Sequence, residues 1–225
     1  MMRFRAVASD FDGTLTRNQQ VSQQTLQGLA QARASECKLI LVTGRVLAEL
    51  CSVFPDMDLF DVIVAENGAV VYWPSTKKEK VLGAHPPDLF LERLRNWGVT
   101  PLIHGRSLVA TVQSYEKAVR QVINELGLDL QIIFNREAVM VLPAGVNKGT
   151  GLAFALSELG IDSASVAGIG DAENDWDFLS RCGLSVAVAN AIPSLKDRVH
   201  LVTAGRDGVG VVEALQRIVA GESFT

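Results

Sequence analysis

The chain has 225 residues, of which 48% are hydrophobic, 20% charged and 6% aromatic. At about 100–200 residues per domain, that length fits one large domain or one domain with a smaller partner, and the apolar fraction excludes wholesale disorder. Lys and Arg total 21 against 25 Asp and Glu, a formal net charge of −4, which argues against a nucleic-acid partner because such proteins usually carry a basic excess.

Cys37, Cys51 and Cys182 are scattered, odd in number and form no C-x-x-C. Neither a disulfide framework nor a thiolate zinc site is expected, and all three read as buried, reduced thiols of a cytoplasmic protein. Residues 1–9 meet Asp10 before an apolar signal region develops. No run of about 18 apolar residues occurs, so neither a targeting segment nor a membrane partner is expected.

Residues 4–9 form an apolar run that stops at Asp10, the pattern of a buried strand feeding a polar loop. Apolar spacing over 21–34 predicts an amphipathic helix with Ser22 as N-cap. A strand over 38–42 ends at Thr43-Gly44-Arg45, and a short helix follows up to Phe54-Pro55. Strands over 62–65 and 69–73 flank Asn67-Gly68, a hairpin-type turn.

The middle of the chain changes character. Pro86-Pro87 lead into a helix over 88–97, followed by a strand over 108–113 and a helix over 115–126. Strands over 130–134 and 138–142 are joined by Asn135-Arg136-Glu137. Alternation then resumes. A helix over 148–159 closes at Gly160, a strand over 165–169 ends at Gly170-Asp171, and a helix over 173–182 closes at Gly183. Strands over 184–189 and 200–202 and a helix over 208–219 complete the pattern. The expectation is an α/β parallel-sheet core, residues 1–80 and 147–225, interrupted by a small α+β cap, residues 81–146.

In open α/β sheets, sites lie beyond the carboxyl ends of the strands. Collected there are Asp10, Asp12 and Gly13; Thr43, Gly44 and Arg45; Asn67; and Asp171, Asn174 and Asp175, with Lys148 opening the helix after the insert. If the strands are neighbours, Asp10, Asp12, Asp171 and Asp175 converge, and they repel one another unless a cation sits among them. All-oxygen ligands favour Mg²⁺, which keeps room for waters and a substrate phosphate. Lys148 suits a phosphoryl group, and Thr43 with the backbone N–H groups near Gly13 and Gly44 can hold phosphate oxygens. Asp10 and Asp12 can divide the work of phosphoryl transfer. One carboxylate is the nucleophile, and the other protonates the leaving alkoxide and then deprotonates the attacking water.

These residues resemble the haloacid dehalogenase superfamily. Asp10-Phe11-Asp12-Gly13-Thr14 is similar to its first motif, D-x-D-G-T, and Thr43-Gly44-Arg45 to its second. Lys148 is similar to the third motif, and Gly170-Asp171-x-x-Asn174-Asp175 to the fourth. Glu66-Asn67-Gly68-Ala69, with Ala187-Val188-Ala189-Asn190-Ala191 and Asp207-Gly208-Val209, resembles the branch whose cap lies between motifs two and three. That branch holds Cof-like sugar phosphatases, sucrose-phosphate phosphatases and archaeal-type phosphoglycolate phosphatases. The short insert is most similar to the last group. One departure is Ala189-Asn190, where many relatives carry M-G-N.

The resemblance implies a Rossmann-like core and a Mg²⁺-dependent phosphatase of a small phosphorylated metabolite, phosphoglycolate or a sugar phosphate. Asp10 would be the nucleophile and Asp12 the general acid/base. Asp10, the backbone carbonyl of Asp12, Asp171 and Asp175 would hold the metal. Thr43 and Lys148 would hold the transferring phosphoryl, with Gly13, Gly44, Arg45, Asn67 and Asn174 as further substrate contacts. Alternatives are a phosphomutase of the same superfamily and a non-hydrolytic phospho-acceptor or phosphate-binding protein. His85, His104 and His200 show no metal spacing. His104, Arg106 and Arg136 read as surface turn residues, with reach into the site as their alternative. Gly145-Val146-Asn147-Lys148-Gly149-Thr150 lacks P-loop spacing.

Overall fold

The computed structural model describes residues 4–224, so Met1, Met2 and Arg3 of the N-terminal segment lie outside the described residues. In chain order it begins with β1 (Ala6–Ser9), a small hairpin of β2 (Thr16–Arg17) and β3 (Gln20–Val21), and α1 (Gln23–Ala34). Next come β4 (Lys38–Val42), α2 (Leu47–Val53), β5 (Val62–Ala65), β6 (Val70–Trp73) and β7 (Lys78–Val81). The middle holds α3 (Asp88–Asn96), β8 (Ile103–His104), β9 (Val109–Val112), α4 (Glu116–Glu125), β10 (Leu130–Asn135) and β11 (Ala138–Pro143). The last part holds α5 (Lys148–Leu159), β12 (Val166–Gly170), α6 (Trp176–Leu179), β13 (Leu184–Ala187), α7 (Pro193–Lys196), β14 (Leu201–Val202) and α8 (Asp207–Val219).

Eight strands pair in the order β14-β13-β12-β1-β4-β5-β6-β7. Neighbours from β14 to β5 are parallel, and β6 and β7 add an antiparallel edge. The central strands are apolar on both faces because helices cover both. Leu39 and Leu41 of β4 pack with Leu29 of α1, Leu50 of α2 and Leu215 of α8. Ile40 and Val42 point the other way, into Leu152 and Leu156 of α5 and Phe178 of α6.

A second sheet, in the order β10-β11-β9-β8, is antiparallel throughout. Its core is separate: Phe90 and Leu94 of α3 and Val119 and Val122 of α4 close over Val109, Val139 and Val141. A smaller cluster of Val46, Ala69, Leu108, Met140 and Leu142 joins the two sheets. The architecture is thus an α/β core of mostly parallel strands carrying a small α+β cap.

Several expectations shift in detail. Val21 pairs with Thr16 instead of opening α1, because Ser22 Oγ accepts from Thr25 N (3.1 Å) and caps the helix there. The helix expected over 173–182 shrinks to a 3₁₀ turn, Glu173–Asp175, and the four-residue α6. Cys37 and Cys182 are buried, but Cys51 lies on the exposed side of α2. No helix among the described residues is long and apolar enough to cross a membrane.

Candidate active site

β1 lies between β12 and β4, so the loops after these three strands and after β5 open on the same edge of the sheet. Asp10 follows β1 directly, and its N–H donates to Ile169 O of β12 at 2.9 Å. The strand ends at Ser9, and the chain turns through Asp12 and Gly13. Gly13 has φ +82°, and a Cβ there would stand 2.6 Å from Asp171 Oδ2, so only glycine lets this loop approach the carboxylate.

Lys148 is the first residue of α5. Asn147 caps the helix: its Oδ1 accepts from Thr150 N (2.9 Å), and Asn147 N donates to Thr150 Oγ1 (3.0 Å). A helix N-terminus disfavours a cation, yet Lys148 is wholly buried there, with Nζ 2.6 Å from both Asp10 Oδ1 and Asp175 Oδ1. Burial alone would lower its pKa, but Asp10 and Asp175 outweigh burial and hold it above the ordinary lysine value.

Asp10, Asp171 and Asp175 each offer a carboxylate oxygen within 4.8 Å of the others, and all three are buried. Burial pushes Asp10 well above the usual carboxyl range and Asp175 adds to the push, with Lys148 pulling the other way. Asp171 is raised by burial and Asp175, against Arg136 and Thr14. Three carboxylates are paired with two cations, Lys148 and Arg136, which leaves one excess negative charge when all three are ionised. A cation held by all three would neutralise it, so the donor set fits a hard metal ion. Asp175 also shapes the loop: its Oδ2 accepts from Asp171 N (2.8 Å) and Ala172 N (2.9 Å). Thr14 Oγ1 donates to Asp171 Oδ1 (3.0 Å).

Asp12 stands apart from that acidic group. Its carboxylate takes Arg45 at two points, Nε to Oδ2 and Nη2 to Oδ1, both 2.7 Å. Arg45 also bonds Glu49 Oε1 at 2.5 Å. Asp10, Asp12, Gly44 and Arg45 line one side of a cavity of about 260 Å³. The cap roofs it with Ile103, Leu108, Ala110 and Met140, a mainly apolar surface. Thr43 is buried, and its Oγ1 accepts from Arg45 N (3.1 Å).

The turn Glu66–Gly68 between β5 and β6 joins the other loops. Glu66 (φ +51°) and Asn67 (φ +53°) are both left-handed, a backbone state that costs a non-glycine residue of order 1–3 kcal/mol. Asn67 Oδ1 accepts from Asn174 Nδ2 (2.8 Å), while Asn67 Nδ2 and Asn174 Oδ1 are buried with no partner among the described residues. A Cβ on Gly68 would lie 1.9 Å from Asn147 O, so the turn and the start of α5 touch backbone to backbone.

A family model described as haloacid dehalogenase-like hydrolase matches residues 7–88 and 103–215. The chain belongs to the haloacid dehalogenase-like hydrolase family. It is 33% identical over 222 residues to a phosphoglycolate phosphatase of Archaeoglobus fulgidus, covering 96% of this chain and 97% of that protein. It is 30% identical over 224 residues to one of Methanothermobacter thermautotrophicus, covering 96% and 99%. The fold matches a haloacid dehalogenase-like hydrolase of Bacteroides thetaiotaomicron with a TM-score of 0.84 at 18% identity, over 96% of this chain and 99% of that one.

Sequence reasoning gave no role to three residues of this hydrolase site and favoured a surface reading for a fourth. Arg136, in the β10–β11 turn, pairs through Nη2 with Asp171 Oδ2, and its N–H donates to Glu173 Oε2 (3.2 Å). Of its two expected readings, surface turn residue or reach into the site, the second fits, because the cap brings this turn down onto the loop after β12. His104 and Arg106 do lie on the outside, with Arg106 paired to Glu79 (3.1 Å). Thr14 and Glu66 sit inside recognised motifs but had no assigned role. Asn190 joins Gly13 O to Asp207 N, at 2.7 Å each. The signal for Glu66 was its place in the Glu66-Asn67-Gly68-Ala69 motif; for Arg136 and Asn190 the partners lie 35 and 177 residues away.

Proposed function

We propose that this hydrolase is a Mg²⁺-dependent phosphatase of a small phosphomonoester, phosphoglycolate or a sugar phosphate, working through an aspartyl-phosphate on Asp10. The observation that carries the reading is the buried Lys148 bridging Asp10 and Asp175 beside Asp171, with Asp12 on the same cavity. Residues 81–146 serve as the cap over the core of 1–80 and 147–225, and the phosphoglycolate phosphatase names of the relatives favour a small substrate.

Asp10, Asp171, Asp175 and the backbone carbonyl of Asp12 would hold Mg²⁺. When bound, Mg²⁺ supplies positive charge that keeps Asp10 ionised and screens the phosphoryl oxygens. A carboxylate oxygen of Asp10 attacks phosphorus as the bond to the leaving oxygen breaks. Asp12, protonated and released from its Arg45 pair for that step, gives the leaving oxygen its proton, then takes one from the water that attacks the aspartyl-phosphate, which regenerates Asp10 and frees inorganic phosphate.

Lys148 and Thr43 hold the phosphoryl oxygens, with N–H groups around Gly13 and Gly44. Asn67 Nδ2 is a buried donor beside them, unpaired among the described residues. Arg45 positions Asp12 and walls the cavity. The apolar roof excludes water from the leaving group and fits a substrate small enough for the space.

The test is release of inorganic phosphate from phosphoglycolate and hexose phosphates, with Mg²⁺ and with chelator. Mg²⁺-dependent release supports the reading. A stable acyl phosphate without turnover would favour the phospho-acceptor instead, and dependence on a sugar bisphosphate with no phosphate release would favour the mutase.

A further inference from the structure

The cap meets the core through an unusual contact. Glu66 is buried on the core side of the joint. Its Oε1 accepts from Arg106 N (3.0 Å), and its Oε2 accepts from Ser107 N (2.9 Å) and Leu108 N (3.2 Å). Three successive N–H groups thus converge on one carboxylate, a nest built from cap backbone. Gly105 permits the approach, since a Cβ there would lie 2.3 Å from Oε1.

Both connections between core and cap pass this point. Ser107 Oγ donates to Ala84 O (3.1 Å). A Cβ on Gly83 would touch Ser107 Oγ, Pro143 and Val146. The contact therefore sits at the base of the cap. Its core side is tied into the site as well: Glu66 N donates to Arg45 O and Asn67 N to Thr43 O, both 2.9 Å.

We propose that Glu66 is the positioning residue that registers the cap on the core, a fixed pivot setting Ile103 and Leu108 over Asp10. The inference rests on the phosphatase reading above. Pulling the nest away would leave a buried carboxylate and the buried donors of Ser107 and Leu108 unpaired, so this joint holds while the rest of the cap moves. The opposite end differs. β4 and β1 separate β5 from β12, so the Arg136–Asp171 pair lies on the far side of Asp10 from Glu66. Arg136 is 52% exposed, so water can solvate its guanidinium on opening, and Asp171, itself buried, keeps the Thr14 hydroxyl as a partner. Opening for substrate entry occurs at the Arg136 end, with Glu66 as the hinge.

The experiment uses the full chain with Glu66→Ala and Glu66→Gln. Amide hydrogen exchange is expected to speed by about tenfold or more at Arg106, Ser107 and Leu108, with Val7, Ile40 and Ile169 unchanged. KM for whichever of phosphoglycolate and glucose 6-phosphate the wild type hydrolyses is expected to rise about 10- to 100-fold in Glu66→Ala, because a small misplacement of positioning groups has such effects. Glu66→Gln, keeping one acceptor oxygen, falls between. Inorganic phosphate, which has no leaving group to meet the roof, keeps its inhibition constant.

Unchanged exchange at 106–108 overturns the pivot, and so does an unchanged KM once exchange has sped up. Equal weakening of substrate KM and of phosphate inhibition places Glu66 in the core chemistry and also overturns it. If the wild type hydrolyses no phosphomonoester, the phosphatase reading fails, and exchange alone decides the pivot. If Glu66→Ala does not fold, Glu66→Gln carries both measurements.

Discussion

Lys148 holds its Nζ 2.6 Å from Asp10 Oδ1 in a place water does not reach. Removing one member of a buried pair strands the other charge, at a cost of about 3–5 kcal/mol. Lys148→Ala strands both Asp10 and Asp175 and is expected to destabilise the metal-free protein by that order. Mg²⁺ should recover part of the loss, because it neutralises the same carboxylates. Denaturant unfolding of wild type and variant, with Mg²⁺ and with chelator, measures both. Equal destabilisation in the two conditions would show that the lysine and the metal serve different charges.

Asp10→Asn removes the nucleophile and keeps the shape. Turnover is expected to vanish with the fold intact, once reversion to Asp by deamidation is checked. Asp12→Ala is expected to lower kcat by about 10²- to 10⁴-fold, the usual range for a lost general acid/base. Its effect on the first step should shrink with p-nitrophenyl phosphate, whose leaving group departs without a proton. A burst of nitrophenol followed by slow phosphate release is the expected signature in stopped flow. Equal loss with alkyl and nitrophenyl esters, with no burst, would remove Asp12 from leaving-group protonation.

The raised pKa values of Asp10 and Asp171 carry a stability consequence. In the folded state these carboxyls keep protons that the unfolded chain has already lost. Their contribution is therefore favourable below the ordinary carboxyl range and is lost as pH rises through the raised values. The metal-free protein is expected to lose stability in that window, from just above the ordinary carboxyl range upward. Mg²⁺ binds the ionised forms, so its stabilisation should grow with pH across the same window. It should reach about 2.7 kcal/mol at neutral pH when Mg²⁺ is a hundredfold above Kd. Thermal unfolding with Mg²⁺ or chelator, from about pH 5 to pH 8, checks this. A Mg²⁺ effect independent of pH would contradict it.

Much of this was legible in the sequence because the residues involved sit at breaks in its pattern. Asp10, Thr43 and Asp171 interrupt apolar strands at their carboxyl ends, where an α/β sheet opens its site. Lys148 opens the helix with which the alternating pattern resumes after the insert. What stayed hidden depends on distant partners or lacks a pattern. Glu66 finds the backbone of 106–108 only when the cap docks. β7 reads Lys-Glu-Lys-Val and is exposed along its length, so no apolar alternation marks it as a strand. The helix expected from Glu173 onward opens as a 3₁₀ turn, where the Asp175 carboxylate folds back on the N–H groups of Asp171 and Ala172, and ends at Leu179.

Asn190 offers a prediction on the nucleophile loop itself. Its Nδ2 donates to Gly13 O and its Oδ1 accepts from Asp207 N, so one amide ties the loop after β1 to the first residue of α8. Asn190→Ala leaves both backbone groups without that partner, a loss of about 1–3 kcal/mol where water cannot replace it. Asn190→Asp keeps the acceptor for Asp207 N but turns an acceptor toward Gly13 O, so the α8 contact survives while the loop is pushed away. Asn190→Asp is therefore expected to lose more kcat than stability, and Asn190→Ala to lose both. Steady-state kinetics paired with denaturant unfolding separate the two. If Asn190→Asp matched the wild type in kcat, the Gly13 contact would have no bearing on where Asp10 and Asp12 stand.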